Sequence, residues 1–491
     1  MSTLILTVFI VYTVLILVIA HITSRKSDNE TFFTGNRKSP WFVVAYGMIG
    51  ASLSGVTFMS VPGDVYTNQF TYFGIVLGYI IGYAVIALFL LPLYYRLNLT
   101  SIYSYLNMRI GKHSEKTGAA FFILSRLLGS ALRMYLVVFV LYEFVFKVWG
   151  IPFWVPAVIF IILILVYTFK GGIKTVVWTD TLQTTFLLLA AIITVVCILR
   201  ELNISIPDLL KASSDQGYTK LFDTDPNHSK FWLKQILSGA FITIVMTGLD
   251  QDMMQKNMTC KNLRAAQKNV ITSSVLFIFV NIIFLCLGAS LIYYAQKTGF
   301  QLPTNENGVV VNDKIFPSIA FSFSKLTSVV FVIGLVAAGY SSADGTLTAL
   351  TTTFCYNFLE FGNRTDLSEE QKLKKRKHIH IIFAALYLLV IIAFRPFHDE
   401  SLINKVFQIA GYTYGPLLGL YTFGLFVKNR RPIDKVVPYI AIMSPIVSYV
   451  LNLYSKQLFN GYQFGFEILI INGLITFMAL MICSKKEINK I

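Results

Sequence analysis

Inside the apolar stretch from Val336 to Thr353 stand side chains with oxygens to offer, among them Ser341, Ser342, Asp344, Thr346 and Thr348. Hydrocarbon cannot solvate them, so each has to face protein, water or an ion. A second concentration, GASLSGVTFMSVPGD from Gly50 to Asp64, crowds glycine, serine and proline into the middle of another apolar run. Glycine and serine are weak helix formers, and an unwound turn there would turn backbone carbonyls inward. Close helix packing through small residues is the competing reading. Charge is the third ingredient. Arg126 and Arg133 lie seven residues apart, on one helical face. A guanidinium in a membrane needs a partner: a protein carboxylate such as Glu143 or, at Arg133, the carboxylate of a bound solute, which a planar guanidinium matches bidentately. Asp180, early in its apolar run, reads as a helix-capping or dipole-stabilising carboxylate. Asp250 and Asp252 read as caps of a gate or partners of cytoplasmic lysines and arginines.

The solvent these residues must work in follows from composition. Of 491 residues 55% are hydrophobic and 13% charged, and the mean hydropathy is +0.65. These values describe a polytopic membrane protein whose first partner is the lipid bilayer. The net charge of +16 suits basic cytoplasmic loops, and no nucleic-acid partner is expected. Five single cysteines show no C-x-x-C and no metal-ligand spacing, so neither disulfide nor zinc is expected. The six histidines, His378, His380 and His398 among them, fall in loops or at segment ends, where none would serve as a base buried at mid-membrane. No phosphate-binding G-x-x-x-x-G-K-[ST] occurs. An enzyme is therefore not expected.

Apolar runs of about 20 residues, the length that crosses about 30 Å of hydrocarbon, can be marked thirteen times, the first at 2–22 and the last at 465–483. The first lacks a basic n-region and a cleavage site and reads as an uncleaved helix with its N-terminus outside. Loops alternately assigned to the cytoplasm then hold most of the lysines and arginines, including Arg25, Lys26, Lys256, Lys261, Arg264 and the run from Lys372 to Lys377. This puts the C-terminus in the cytoplasm and the chain in the plasma membrane. Removing the first run and the last two leaves two groups of five with opposite orientation, as an inverted repeat requires. The organisation is thus an extra helix and loop (1–30), a first repeat (41–200), an extracellular loop with a short amphipathic helix (201–230), a second repeat (231–428), and two final helices with a cytoplasmic tail (429–491). Gly74, Gly78 and Gly82 form one stripe, a packing face. The glycine pair in KGGIKTVVWTDTLQ suits a tight re-entry turn between the segments 152–169 and 176–199.

Four stretches, GGIKTVVWTDTLQ, TGLDQDMMQ, AAGYSSADGTL and GYTYGPLLGLYTFGLF, resemble the sodium/solute symporter family, which includes sodium-coupled sugar, proline, pantothenate, iodide and sialic acid carriers. The resemblance runs through essentially the whole chain. It implies a monomeric LeuT-type carrier working by alternating access, with sodium bound between the broken first helix of one repeat and a later helix. The ligands carried over are the carbonyls of Gly50, Leu53 and Ala338 and the hydroxyls of Ser341 and Ser342. A small hard cation wants oxygen ligands, and an unwound helix supplies them. Some members hold a second sodium between hydroxyls one turn further on and a carboxylate that Asp180 matches. Here those hydroxyl positions are Asp344 and Gly345, so Asp180 and Asp344 could hold a cation or share a proton, the latter making the carrier proton-coupled.

The resemblance puts the solute beside the broken helix, with Ser52, Ser54, Thr57, Tyr72, Arg133, Thr247 and Gln408 as candidate contacts. The amide and glutamate pattern of sugar carriers is missing, and SLSGVT is closer to the sialic acid pattern. The arginine of that pattern aligns nearer Gly129, with Arg133 one turn on. A small carboxylate is the first expectation for the solute, a sugar or polyol the second.

Overall fold

The computed structural model describes residues 2–25, 27–395 and 402–486; Lys26, His398 and the tail beyond 486 lie outside the described residues. Hydrocarbon offers no partner for a backbone N–H or C=O, so a chain this apolar must satisfy its own backbone, and it does so with helices. In chain order these are α1 (Ser2–Thr23), the short α2 (Asn29–Thr34), α3 (Trp41–Ser52), α4 (Gly55–Asn68), α5 (Tyr72–Arg96), α6 (Lys112–Trp149) and α7 (Trp154–Glu201). After the surface helix α8 (Ile206–Asp215) come α9 (Trp232–Gly248), α10 (Gln251–Met258), α11 (Leu263–Thr298) and α12 (Lys325–Phe358). Then follow α13 (Glu369–Ala393), α14 (Leu402–Thr413), α15 (Gly415–Phe426), α16 (Asp434–Leu453) and α17 (Ile468–Ile482), and connecting segments hold the further helices Ser104–Arg109, Asn312–Phe323 and Ser455–Leu458. A two-stranded antiparallel ribbon, β1 (Arg430–Pro432) with β2 (Ser484–Lys486), ties the end of α15 to the end of α17.

Among the described residues, eight helices are long and apolar enough to span a bilayer, or ten when the bent pairs α3–α4 and α9–α10 count as one span each. The sequence count of thirteen is reached only by dividing α7 and adding α14–α15 and α17. Division of α7 has a physical basis. Its 48 residues would extend about 72 Å at 1.5 Å per residue, more than twice the hydrocarbon thickness. It bends at Gly172, where φ is 50° and ψ −134°. The turn expected at the glycine pair is this non-helical residue, where two helical segments of α7 meet. Phe32 of α2 lies over it, 2.5 Å from where a Cβ would stand, so both backbone and packing require glycine there.

Packing around the site depends on small residues. A Cβ on Gly78 would lie 2.1 Å from the Ile236 carbonyl, and one on Gly239 would lie 2.1 Å from that of Ile75. The expected glycine stripe thus brings α5 and α9 into backbone contact. At the centre runs α12, buried at every position from Gly334 to Thr353, with α7 packed along it. Outside the bundle, α8 opens with a reciprocal capping box between Ser205 and Asp208.

Candidate functional site

The first span breaks where glycine and serine accumulate. Leu53 (φ −84°, ψ 92°) and Ser54 (φ −80°, ψ 173°) leave helical geometry, and α3 and α4 meet at 61°. A break orphans the carbonyls of the preceding turn. Among the described residues, nothing donates a hydrogen bond to the carbonyls of Gly50 or Leu53, and both residues are buried. The second broken span behaves differently. There the bend is 65°, and the freed carbonyls of Gly248 and Leu249 accept from the hydroxyls of Tyr94 (2.8 Å) and Tyr103 (2.9 Å). One break is closed by protein; the other keeps its oxygens available.

Around the open break, α7 and α12 close in. The Gly50 N–H donates to Thr184 Oγ1 at 3.0 Å, and a Cβ on Gly50 would lie only 2.3 Å from that oxygen. The Ser341 hydroxyl donates to Asp180 Oδ1 at 2.9 Å, joining α12 to α7. Ser342 sits against α6, where Ser130 Oγ donates to its carbonyl at 2.9 Å and lies 3.5 Å from its hydroxyl. Ala338 is buried one turn before them. The oxygens available to a cation here are neutral carbonyls and hydroxyls with one carboxylate behind them, a donor set suited to a hard monovalent ion. Thr346 and Thr348 donate instead to the carbonyls of Ser342 and Asp344, four residues back.

Asp180 is not a helix cap. It lies in the interior of α7, buried, with Lys256 Nζ 2.8 Å from its Oδ2. Asp344 accepts from the Tyr167 hydroxyl (2.9 Å), the Thr179 hydroxyl (3.3 Å) and the Gly345 N–H (2.6 Å). Lys256 was expected in a cytoplasmic loop. The bend between α9 and α10 carries it into the bundle, where its side chain is 1% exposed.

On the other side of the break is a cavity of about 80 Å³. It gathers Ser52, Ser54, Thr57, Tyr72, Arg133 and Thr247 from the sequence candidates, and adds Tyr79, Tyr83 and Asn281, which the sequence did not single out. Tyr72 and Tyr79 touch through their hydroxyls at 3.1 Å. Gln408 does not join them. It is exposed and lines a separate cavity with Ser229, Lys230 and Asn452. Successive helical residues are turned by about 100°, and Val406 and Phe407 already take the face of α14 that meets the main cavity.

The two arginines of α6 differ. Arg126 is ion-paired to Asp252 and lies 3.6 Å from Asp250, which caps α10 through the Met253 N–H and accepts from the Tyr414 hydroxyl at 2.5 Å. Asp250 and Asp252 thus pair with buried cations, not with loop residues. Glu143, the expected partner of the arginines, contacts Lys147 instead at 2.9 Å. Arg133 lines the cavity with no hydrogen bond or ion pair among the described residues. His380 lies within α13, not in a loop. It is buried and held by Thr168 (2.9 Å) and Thr351 (2.8 Å), a structural link between α7, α12 and α13.

A broken membrane helix, orphaned carbonyls and a polar cavity beside them define a secondary transporter. The family model described as the sodium:solute symporter family matches residues 32–431, and the chain belongs to that family. Among curated proteins, a sodium/sialic acid symporter of Proteus mirabilis is 26% identical over 92% of this chain and 89% of its own length. One of Aliivibrio fischeri is 26% identical over 86% and 83%. A solved structure of a sodium-coupled sialic acid symporter, substrate-bound and outward-open, superposes with a TM-score of 0.83 at 23% identity, covering 98% of this chain and 99% of that one. The protein is a multi-pass membrane transporter that couples sodium to a solute, and not an enzyme.

Proposed function

We propose that the chain carries a small carboxylate-bearing solute into the cell together with sodium, the solute carboxylate docking on Arg133. The observation that carries this reading is the guanidinium in the cavity with no counter-ion among the described residues. A buried cation without a partner is costly, and an anionic solute supplies the missing charge. Hydroxyls of Ser52, Ser54, Thr57, Tyr72 and Thr247 face the same space for the remainder of the solute. The relatives named as sialic acid symporters support an acid over an uncharged sugar or polyol. Sodium binds at the carbonyls of Gly50, Leu53 and Ala338 and the hydroxyls of Ser341 and Ser342, a reading supported by the unpaired carbonyls at the open break.

The repeats 41–200 and 231–428 are inverted copies. Their first spans are both broken, at 61° and 65°, which supports that division and a thirteen-span layout. The N-terminus lies outside, the C-terminus in the cytoplasm, and a monomer of the plasma membrane suffices for alternating access.

Uptake into proteoliposomes against a panel of acids, their amides and sugars tests the solute class. Arg133→Gln should reduce carboxylate uptake roughly thirtyfold, the equivalent of about 2 kcal/mol for a truncated buried charge contact, and leave sodium affinity near wild type. A variant that transports acids unimpaired removes Arg133 from the site. Sodium and pH gradients imposed separately test the ion. Uptake driven by a pH gradient alone would give the coupling role to Asp180 and Asp344.

A further inference from the structure

Lys256 stands one turn after Asp252 on α10, and its ammonium meets Asp180 Oδ2 at 2.8 Å and Asp252 Oδ1 at 3.4 Å. Asp344 is the third carboxylate whose field it feels. Placing an ammonium in a membrane interior is unfavourable unless carboxylates surround it. The packing is fitted to this one. Gly345, next to Asp344, lacks a Cβ that would stand 2.7 Å from Nζ and 2.3 Å from Asp252 Oδ1. Neither Nζ, Asp180 Oδ2 nor Asp252 Oδ1 makes an aligned hydrogen bond among the described residues. Charge and contact hold the ammonium, as they would hold an alkali ion.

We infer that Lys256 is a tethered cation filling the Asp180–Asp344 position, so that the carrier moves one sodium ion per cycle and admits none between those two carboxylates. The inference rests on the sodium site proposed above at Gly50, Leu53, Ala338, Ser341 and Ser342. Charge at the two central carboxylates fits it. Arg126 is shared by Asp252 and Asp250 and reaches neither Asp180 nor Asp344, which leaves those two to be neutralised. Lys256 supplies one positive charge. A single sodium beside Ser341, whose hydroxyl donates to Asp180, supplies the other. At Asp344 the oxygens already accept from Tyr167, Thr179 and the Gly345 N–H. A second sodium would find these acceptors occupied and a like charge in contact with Asp180.

The test counts ions. In proteoliposomes carrying the full chain, radiolabelled sodium and solute taken up together should appear in equal numbers. At low sodium a tenfold rise should increase uptake about tenfold by mass action. In Lys256→Gln and Lys256→Met the position is vacated, so two sodium ions should accompany each solute. The same tenfold rise should then increase uptake about a hundredfold. Two ions in the wild type overturn the inference, as does an active Lys256 variant that still moves one. Should both variants fail to fold, the wild-type count decides, one ion supporting and two overturning. Failure of the underlying sodium site is recognised separately: Ser342→Ala would then leave wild-type sodium affinity unchanged, whatever the count at Lys256.

Discussion

A hydroxyl in a membrane helix usually closes on its own backbone, and Thr346, Thr348, Thr351 and Thr352 of α12 each donate to the carbonyl four residues back. Ser341 departs from this habit by reaching across to Asp180. That difference gives a paired prediction. Ser341→Ala should raise the sodium concentration for half-maximal uptake about tenfold, equivalent to about 1.4 kcal/mol and within the range of one hydrogen bond to a charged group. Thr348→Ala should stay within about twofold, since its bond to the Asp344 carbonyl is intrahelical. Sodium-dependent uptake of the two variants measures the contrast, and equal effects would abolish it. The sequence made Ser341, Ser342, Asp180 and Asp344 legible because oxygens in apolar runs are conspicuous. It could not supply their partners. Lys256, in DQDMMQKN, reads like any loop lysine, since counting basic residues has no depth resolution. Gln408 erred for a related reason: a helix's rotation about its own axis is set by neighbours, and Val406 and Phe407 took the cavity face of α14.

At the scale of elements, the two broken spans do different things with similar bends. The sequence showed the first, through its glycines and serines, and concealed the second, whose bend at Leu249 and Asp250 is fixed by tyrosine hydroxyls from α5 and the chain after it. A third element, the six-residue α2, was also not visible in the sequence. Asp28 caps it by accepting from the Thr31 N–H at 2.8 Å and hydroxyl at 2.7 Å. It holds Phe32 over the Gly172 kink, with the Arg376 guanidinium 4.2 Å from the Phe32 ring centroid. The Thr31 backbone and side-chain hydrogen bonds keep the Asp28 carboxyl below its ordinary range. A lowered folded-state value means that the cap's contribution is complete above the ordinary aspartate range near about pH 4 and disappears as pH falls through the lower folded value. Asp28→Ala should therefore cost about 1 kcal/mol at neutral pH, seen as a lower midpoint in thermal unfolding of the purified carrier. The gap between variant and wild type should close in acid. A gap that persists unchanged below about pH 3 would show that the cap carboxylate is not its source.

At the scale of the whole molecule, ion count and solute charge decide together what the carrier can achieve. A tenfold inward sodium gradient is worth about 1.4 kcal/mol per ion, and a potential of about 100 mV adds roughly 2.3 kcal/mol per charge moved. For one sodium with a neutral solute both contributions act, and their sum supports about 500-fold accumulation. With a monoanion on Arg133 the solute charge opposes the sodium charge, the electrical contribution cancels, and about tenfold accumulation remains. Wild-type accumulation of a monocarboxylate should therefore not respond to a potassium diffusion potential set across proteoliposomes at fixed sodium gradient. Lys256→Gln, moving a second sodium, should become potential-sensitive. If wild-type accumulation instead climbs with inside-negative potential, then either the solute is neutral or two sodium ions travel with it. Counting sodium against solute separates these: one ion with a potential response would overturn the monocarboxylate reading, and two would overturn the tethered cation at Lys256.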